Sequence, residues 1–245
     1  MKYYNSVNLV DNLYCYIWQG MGNNCNTSVF TNILNGPKPH VIIDPGHIVN
    51  ESREECFAGL EKAMAEDKIR VDDIGLIINT HSHPDHCQAN ELIVERSGAQ
   101  VTLSKEEDDF RNTIGVSLYR AFGIKAPRFN PQFYIKEGDL DLGINGFKLS
   151  VILTPGHSPG SVCLYWAEKK VLITGDVIFF MSVGRTDFPG GDMAQLKKSI
   201  DRLAELDVEY IIPGHNTEPG GIIRGKDLIR RNFEAVQDFF SYGTG

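Results

Sequence analysis

The chain has 245 residues, 42% of them hydrophobic and 23% charged, which is typical of a globular domain that buries a core without disulfides. A formal net charge of −8 without a Lys/Arg cluster argues against nucleic acid as a partner, and no run of about eighteen apolar residues predicts a membrane span. Five cysteines, an odd number without a C-x-x-C pair, favour reduced thiols, so we expect one cytoplasmic domain over residues 1–245 and leave a homodimer open.

The first third of the chain alternates short apolar runs with helical patterns. Residues 28–34 and 41–44 have the apolar runs that are typical of strands. Apolar residues then recur at helical spacing, at Cys56, Phe57, Leu60 and Met64. Residues 74–80 form the next strand-like run. This alternation indicates sheets with helices packed outside them.

Four side chains of metal-ligand type lie within six residues, directly after the run 74–80. They are His81, His83, Asp85 and His86. Imidazoles suit Zn, Fe or Mn, and a carboxylate adds an oxygen ligand. Side chains this close in sequence converge only if the chain turns, and Pro84 supplies the turn at a helix start. The segment therefore predicts a metal site at the end of a strand.

The segment 104–132 is the least strand-like part of the middle of the chain. Its aromatic residues are Phe110, Tyr119, Phe122 and Phe129. In one interpretation it is a helix pair that covers a sheet edge, because aromatic residues at helical spacing usually pack inward. In the other it is a helical lid inserted over the predicted metal site. Both interpretations stay open.

Three further segments end an apolar run with glycine and then a residue of ligand type. The runs 151–153, 171–174 and 210–212 lead in this way to His157, Asp176 and His215. Glycine lets the backbone turn sharply and approach other groups closely. Each run can therefore direct one side chain over the end of a sheet toward a shared point.

Two amphipathic helices are predicted after residue 190. Asp192 with Gln195 has the spacing of a capping box at a helix start. The residues expected on the inner face of this helix are Met193, Leu196, Ile200 and Leu203. The second helix is expected to bury Ile229, Phe233, Val236 and Phe240.

The segments H-S-H-P-D-H (81–86), T-P-G-H-S-P-G-S (154–161), T-G-D (174–176) and P-G-H (213–215) together resemble those of a known family. They are similar to the metallo-β-lactamase-fold hydrolases, and among these to the glyoxalase II-like branch. The resemblance implies an α+β fold, the four-layer αββα sandwich in which two mixed β-sheets are flanked by helices.

The resemblance also implies a ligand set. One metal would be held by His81, His83 and His157, the second by Asp85, His86 and His215, with Asp176 as the bridge. His40 and His47 match no ligand position, and we expect both to be ordinary surface or loop residues. Two divalent ions are expected, zinc first, with iron or manganese as alternatives, because His and carboxylate ligands accept all three.

The function implied by the resemblance is a dinuclear metal-dependent hydrolase for a small-molecule acyl substrate. A metal-bridging hydroxide would attack a thioester such as a hydroxyacyl-glutathione, or a related ester or lactone. Asp85 would be both a ligand and a catalytic residue that orients the hydroxide. One alternative is an acyl-homoserine-type lactonase. Another is a mononuclear non-haem iron persulfide dioxygenase, with His81, His157 and Asp176 on its iron.

The segment G-R-T-D-F (184–188) bears on the identity of the substrate. It resembles the corresponding segment of short glyoxalase II-like proteins and also that of persulfide dioxygenases. Arg185 is the expected substrate-binding residue, because its planar guanidinium makes paired hydrogen bonds with a carboxylate. In the other interpretation Arg185 pairs with Asp187 and braces the loop. Thirty residues follow His215, so an extended glutathione-binding region like that of full-length glyoxalase II is not expected, and the thiol carrier stays open.

Overall fold

Two β-sheets lie face to face between helices in the computed structural model, which describes residues 3–142, 147–216 and 221–242. One hydrophobic cluster contains residues of both sheets, and each of two further clusters joins one sheet to its helices. The predicted α+β class and the four-layer arrangement are confirmed. No helix within the three described ranges has both the length and the apolar composition to cross a membrane.

The first sheet contains seven strands among the described residues, and their spatial order is their order in the chain. The strands are β1 (Tyr4–Val10), β2 (Leu13–Trp18), β3 (Thr27–Phe30), β4 (His40–Ile43), β5 (Ile74–Ile78), β6 (Gln100–Ser104) and β7 (Phe133–Ile135). Neighbours are antiparallel from β1 to β4 and parallel from β4 to β7, so the sheet is mixed. The strand expected over 28–34 ends at Phe30, because Asn32 has a φ of +57°, which a strand does not allow.

The second sheet follows in the chain. This sheet and a small separate hairpin are formed by the strands β8 (Gly138–Asp141), β9 (Lys148–Leu153), β10 (Val162–Trp166), β11 (Val171–Gly175), β12 (Ile178–Phe179), β13 (Ser182–Val183), β14 (Tyr210–Pro213) and β15 (Ile223–Arg224). The hairpin is β12 with β13, and the sheet has the order β15-β14-β11-β10-β9-β8. Only β11 and β14 pair in parallel among the described strands of this sheet.

Alternation along the strands creates the layers. In β4, Val41 and Ile43 belong to the cluster between the sheets, and Ile42 belongs to the cluster on the outer face. β11 alternates in the same way, with Leu172 on the helix side of the second sheet. A period of two places successive side chains on opposite faces, and here both faces are covered, so both sets are apolar. His40, expected to be an ordinary surface or loop residue, is instead buried at the start of β4, where its ring accepts a hydrogen bond from the backbone of Asn32.

The helices lie on the two outer faces. They are α1 (Cys56–Glu66), α2 (Pro84–Cys87), α3 (Asn90–Ser97), α4 (Lys105–Asn112), α5 (Val116–Ala121), α6 (Met193–Leu203) and α7 (Lys226–Tyr242). The predicted inner faces of α1 and α7 are buried, as expected. Asp192 caps α6, but Met193 is 44% exposed, which contradicts its predicted burial. Helical side chains lean toward the helix N-terminus, so the first residue of α6 points past its end.

Candidate metal centre

Seven side chains meet where strands of both sheets end. The H-S-H-P-D-H segment follows β5 of the first sheet, and its last residues begin α2. His157, Asp176 and His215 follow β9, β11 and β14 of the second sheet. The sheets face each other, so both sets of strand ends lie at one edge of the sandwich. This is the shared point that the sequence pattern predicts.

The first group consists of His81, His83 and His157, with one ring nitrogen of each within 4.8 Å of the others. His157 Nε2 lies 2.9 Å from His83 Nδ1. All three rings are buried. The structure therefore brings together the three residues that the sequence assigns to one metal.

The second group consists of Asp85, His86 and His215, whose ligand atoms lie within 4.8 Å of one another. His215 Nε2 is 3.1 Å from Asp85 Oδ2 and 3.3 Å from His86 Nε2. The carboxylate of Asp176 lies between the groups, with Oδ1 3.2 Å from His86 Nε2 and Oδ2 3.5 Å from His157 Nε2. This position suits a bridge; the individual ligand roles stay predictions.

A divalent metal fits the donors present. His81 Nε2 and His83 Nε2 are buried and have no hydrogen-bond partner among the described residues. Burial lowers the pKa of His81 well below its usual value and that of His83 to about 3, and neighbouring imidazoles add to both effects. Both rings are therefore neutral, which is the form that binds metal. A cation bound between these rings would satisfy His81 Nε2, whereas His83 faces the group with its Nδ1.

The carboxylates make the second group strongly negative. Burial lowers the pKa of His215, but Asp176 and Asp85 outweigh burial and raise it to about 10. Burial likewise lowers the pKa of His86, and Asp176, Asp44 and Asp85 raise it well above its usual value. Without a metal, protons on these rings supply positive charge, and a divalent ion is the alternative source of that charge.

Backbone carbonyls orient two of the imidazoles. His157 Nδ1 donates to the backbone oxygen of Arg185 at 2.7 Å, and His215 Nδ1 donates to that of Asn24 at 3.1 Å. A carbonyl only accepts, so Nδ1 carries the proton in both rings. Nε2 is then the nitrogen directed at the cluster, an arrangement that metal-binding histidines commonly use.

Close approach explains the glycines before the ligands. A Cβ on Gly214 would lie 2.2 Å from Asp176 Oδ1, so any side chain there would displace that carboxylate. Gly156 has a φ of +143°, and a Cβ on it would lie 2.3 Å from the backbone nitrogen of Leu196. These contacts support the strand, glycine, ligand interpretation of the sequence.

Asp44 is a functional residue that the sequence analysis missed. It directly follows β4 with a φ of +51° and is buried. Its carboxylate accepts from His86 Nδ1 at 2.9 Å, and from the backbone nitrogen and hydroxyl of Thr80 at 2.8 Å and 2.6 Å. The sequence does mark Asp44, because it is followed by Pro-Gly at the end of an apolar run, but this pattern predicted only the end of a strand.

Glu107 is the second missed residue. It is fully buried and accepts from the backbone nitrogen and hydroxyl of Ser82 at 2.8 Å and 2.6 Å. It also accepts from the Ser158 hydroxyl at 2.6 Å and from the backbone nitrogen of Gly160 at 2.9 Å. Glu107 therefore joins the H-S-H-P-D-H turn to the loop that carries His157. Nothing in the sequence of the run 105–109 distinguishes it from the exposed Glu106 and Asp109.

A cavity of about 880 Å³ opens above the cluster. His83, Asp85, His157, Asp176 and His215 lie in its floor. Phe122, Ile124 and Lys125 of the segment 104–132 line its wall, whereas Phe110, Tyr119 and Phe129 are buried. The segment thus both packs inward and reaches the cavity, and its role as a lid stays a prediction.

Arg185 also lines the cavity. Its Nε and one terminal nitrogen each donate to Asp187 at 2.6 Å, and its guanidinium lies 3.8 Å from the centre of the Phe188 ring. The pairing with Asp187 is therefore present, and contact with a substrate stays a prediction. His47, expected to be an ordinary surface or loop residue, lies in the loop after β4, and it is buried in the cavity wall because this loop folds against α2.

The model of the Metallo-beta-lactamase superfamily matches residues 21–215. A probable metallo-hydrolase of Methanocaldococcus jannaschii is 35% identical over 185 residues, which are 73% of this chain and 83% of that protein. The hydroxyacylglutathione hydrolase GloC of Haemophilus influenzae is 34% identical over 189 residues, 76% of this chain and 84% of that protein.

Solved structures agree in fold. A metallo-beta-lactamase family protein from Thermus thermophilus superposes with a TM-score of 0.72 at 22% identity, covering 94% of this chain and 80% of that one. The protein TTHA1623, solved in a di-iron-bound form, gives a TM-score of 0.65 at 26% identity, covering 86% and 96%. The chain therefore belongs to the metallo-beta-lactamase superfamily, and with a cluster of metal-ligand side chains at its strand ends it is a metal-dependent hydrolase of that superfamily.

Proposed function

We propose that the protein hydrolyses a thioester of a small acyl group, using two divalent ions, with zinc favoured over iron and manganese. The observation that carries the proposal is the cavity of about 880 Å³ whose floor contains five residues of the cluster and whose wall includes aromatic and cationic side chains. Pockets of this size hold a small organic molecule rather than a polymer. The likeness to a hydroxyacylglutathione hydrolase at 34% identity supports the same class.

The chain's residues divide into metal holders and groups that position them. In the proposal His81, His83 and His157 hold one ion, Asp85, His86 and His215 hold the other, and Asp176 contacts both. Divalent ions, when bound, polarise a carbonyl oxygen and lower the pKa of a bound water to about 7. Asp44 and the carbonyls of Arg185 and Asn24 keep the imidazoles in the orientation that binding requires.

Asp85 is the proposed catalytic residue among the ligands. Asn23 Nδ2 donates to its Oδ2 at 2.7 Å, and the backbone nitrogen of Asn23 donates to Glu51 Oε1 at 2.6 Å. The Asp85 side chain is thus fixed both by its place in α2 and by a hydrogen bond from the loop after β2. A carboxylate fixed in this way can accept a hydrogen bond from the attacking water and direct its lone pair at the acyl carbon.

The cavity wall suits the two ends of an acyl thioester. Phe122, Phe179 and Phe188 offer apolar surface to an acyl chain. Lys125 and Arg185 offer positive charge to an anionic thiol carrier. The carrier, whether glutathione, coenzyme A or another thiol, follows from the test below.

Metal content and a substrate panel test the proposal together. Metal per chain is measured by elemental mass spectrometry on protein purified without chelators, and the same sample is assayed with S-lactoylglutathione, an acyl-coenzyme A and an N-acyl-homoserine lactone. Two ions per chain and chelator-sensitive thioester hydrolysis are expected. Lactone hydrolysis alone would favour the lactonase alternative. One iron per chain, with oxygen consumed on glutathione persulfide, would favour the dioxygenase with His81, His157 and Asp176.

Replacing Arg185 by alanine is expected to raise KM for an anionic thioester about 5-fold with little change in kcat, because the lost contact binds ground and transition states alike. The backbone oxygen that His157 contacts is retained. Asp187→Asn is the matched control: it weakens the competing ion pair and is expected to keep or lower KM. Steady-state kinetics on the three proteins checks this, and an unchanged KM in Arg185→Ala contradicts substrate binding by Arg185.

The compartment and partners belong to the same proposal. The five cysteines are all free and buried, and burial raises the pKa of the Cys87 thiol to about 12. Such thiols are unreactive and fit a reducing, cytosolic setting. The proposed partner is the small acyl substrate rather than nucleic acid.

A further inference from the structure

His47 is a cavity residue that the proposed chemistry leaves unused. Its backbone nitrogen donates to Asn24 Oδ1 at 2.7 Å, and its ring forms part of the cavity wall. Its Nδ1 lies 3.0 Å from Gln88 Oε1, one residue beyond the end of α2. The ring is therefore hydrogen-bonded to the residue that directly follows the short helix carrying Asp85 and His86.

Hydrogen bonding fixes which nitrogen of His47 carries the proton. Gln88 Oε1 also accepts from the backbone nitrogen of Ile48 at 2.8 Å, so the amide must present its oxygen at this point. An oxygen only accepts, and His47 Nδ1 is consequently the donor. In the neutral ring, Nε2 is then a hydrogen-bond acceptor.

This acceptor is open to the cavity. Nε2 has no hydrogen-bond partner among the residues that the structure describes. It is also not among the unpartnered side-chain atoms that are fully buried, so it keeps some accessible surface. Burial lowers the pKa of His47 below its usual value, and divalent ions nearby would act in the same direction. The ring is therefore neutral at neutral pH, and its free nitrogen offers a lone pair to the contents of the cavity.

The surroundings select the kind of donor that fits. Among the residues that line the cavity, Asp85 and Glu51 are close enough to His47 for their charges to raise its pKa against the effect of burial, and the positive side chains of the wall are Lys125 and Arg185. A positively charged donor would be repelled by two divalent ions, so a neutral donor is favoured. Asp85, the residue proposed to direct the attacking water, has the largest charge effect on the pKa of His47, so a donor that reaches Nε2 would lie next to the reacting carbon and belong to the acyl part of the substrate.

We propose that His47 is a specificity-determining residue whose Nε2 accepts a hydrogen bond from a hydroxyl group on the acyl part of the substrate. The inference rests on the proposed thioester hydrolysis. It assigns preference for hydroxyacyl over deoxyacyl thioesters to one side chain of this chain. A site built to bond a hydroxyl disfavours the analogue that lacks it, because the acceptor is then left unpaired.

The test compares two thioesters that differ by one hydroxyl, S-lactoylglutathione and S-propionylglutathione, on metal-loaded protein. The wild type is expected to prefer the lactoyl compound in kcat/KM. In His47→Leu that preference is expected to fall about 10-fold, mainly through the lactoyl compound. Val49→Ala, which alters the same wall without removing a polar group, is expected to keep the wild-type preference.

A second pair of variants keeps the test independent of folding in His47→Leu. His47→Gln has an amide oxygen that can reach the position of Nε2, and it is expected to retain most of the preference. His47→Asn is one methylene shorter, and it is expected to lose the preference. Thermal unfolding and metal content are measured for each variant, but the deciding quantity is the ratio between the two substrates, which a merely structural role of His47 would not change.

The outcomes separate this inference from the proposed function. If the wild type hydrolyses both thioesters without preference, or if its preference persists in His47→Leu and His47→Asn, the role of His47 is overturned and thioester hydrolysis stands. If the fully metallated wild type hydrolyses neither compound nor any thioester of the panel, the proposed function fails and the inference fails with it.

Discussion

Replacing Asp176 by alanine is expected to remove bound metal and hydrolytic activity together, with activity falling more than about 100-fold. The carboxylate contacts His86, His157 and His215 at 3.2 to 3.5 Å and lies between the two groups of ligands. Its removal leaves each proposed metal one ligand short and withdraws negative charge from both. Elemental mass spectrometry and the thioester assay on the same preparation check the result.

Two controls sharpen the Asp176 experiment. Asp187→Ala removes an exposed carboxylate paired only with Arg185 among the described residues, and it is expected to retain full metal content. Asp176→Asn keeps the shape but replaces the anionic carboxylate by a neutral amide with one oxygen, and it is expected to bind metal weakly. Two tightly bound ions in Asp176→Ala would contradict a bridging role for this residue.

Replacing Glu107 by leucine is expected to lower the free energy of unfolding by about 3 to 5 kcal/mol, the largest stability effect we predict. The change removes the acceptor of four hydrogen bonds and leaves buried donors of Ser82, Ser158 and Gly160 without it. For a chain of this size the midpoint of thermal unfolding should fall by roughly 10 °C or more. Denaturant and thermal unfolding measure both quantities.

Glu106 offers the matched control, because it is the exposed neighbour of Glu107 on α4. Glu106→Leu is expected to change stability by less than about 0.5 kcal/mol. The loss of stability in Glu107→Gln should lie between those of Glu106→Leu and Glu107→Leu. One amide oxygen then replaces two carboxylate oxygens, and the amide N–H groups face other donors. Equal stability of Glu106→Leu and Glu107→Leu would show that this carboxylate does not join the two loops.

The parts of the site that could be predicted are those that a short stretch of sequence determines. His81, His83, Asp85 and His86 share one turn, and Pro84 marks the helix start in the sequence itself. His157, Asp176 and His215 each follow an apolar run and a glycine, so their positions at strand ends follow from local pattern. Apolar runs and helical spacing predicted sheets with helices outside them, and the family resemblance implied the four layers.

The parts that could not be predicted depend on contacts between distant segments. Asp44 supports His86 across 42 positions, and Glu107 contacts Ser158 across 51. His47 was expected to be an ordinary surface or loop residue because it matches no ligand position, and nothing in its loop sequence shows what folds over it. Burial of polar groups in loops is decided by packing, which one sequence without its structure does not reveal.

The division of the ligands between the two sheets has a consequence for how the protein matures. The described strands of the first sheet lie within residues 4–135, and those of the second lie within residues 138–224. The first part carries His81, His83, Asp85 and His86, and the second carries His157, Asp176 and His215, so neither holds a complete set for the proposed ions. A chain emerging from the ribosome acquires its last ligand only after the final parallel strand has been made. Both proposed ligand sets are therefore complete only after residue 215 has been synthesised.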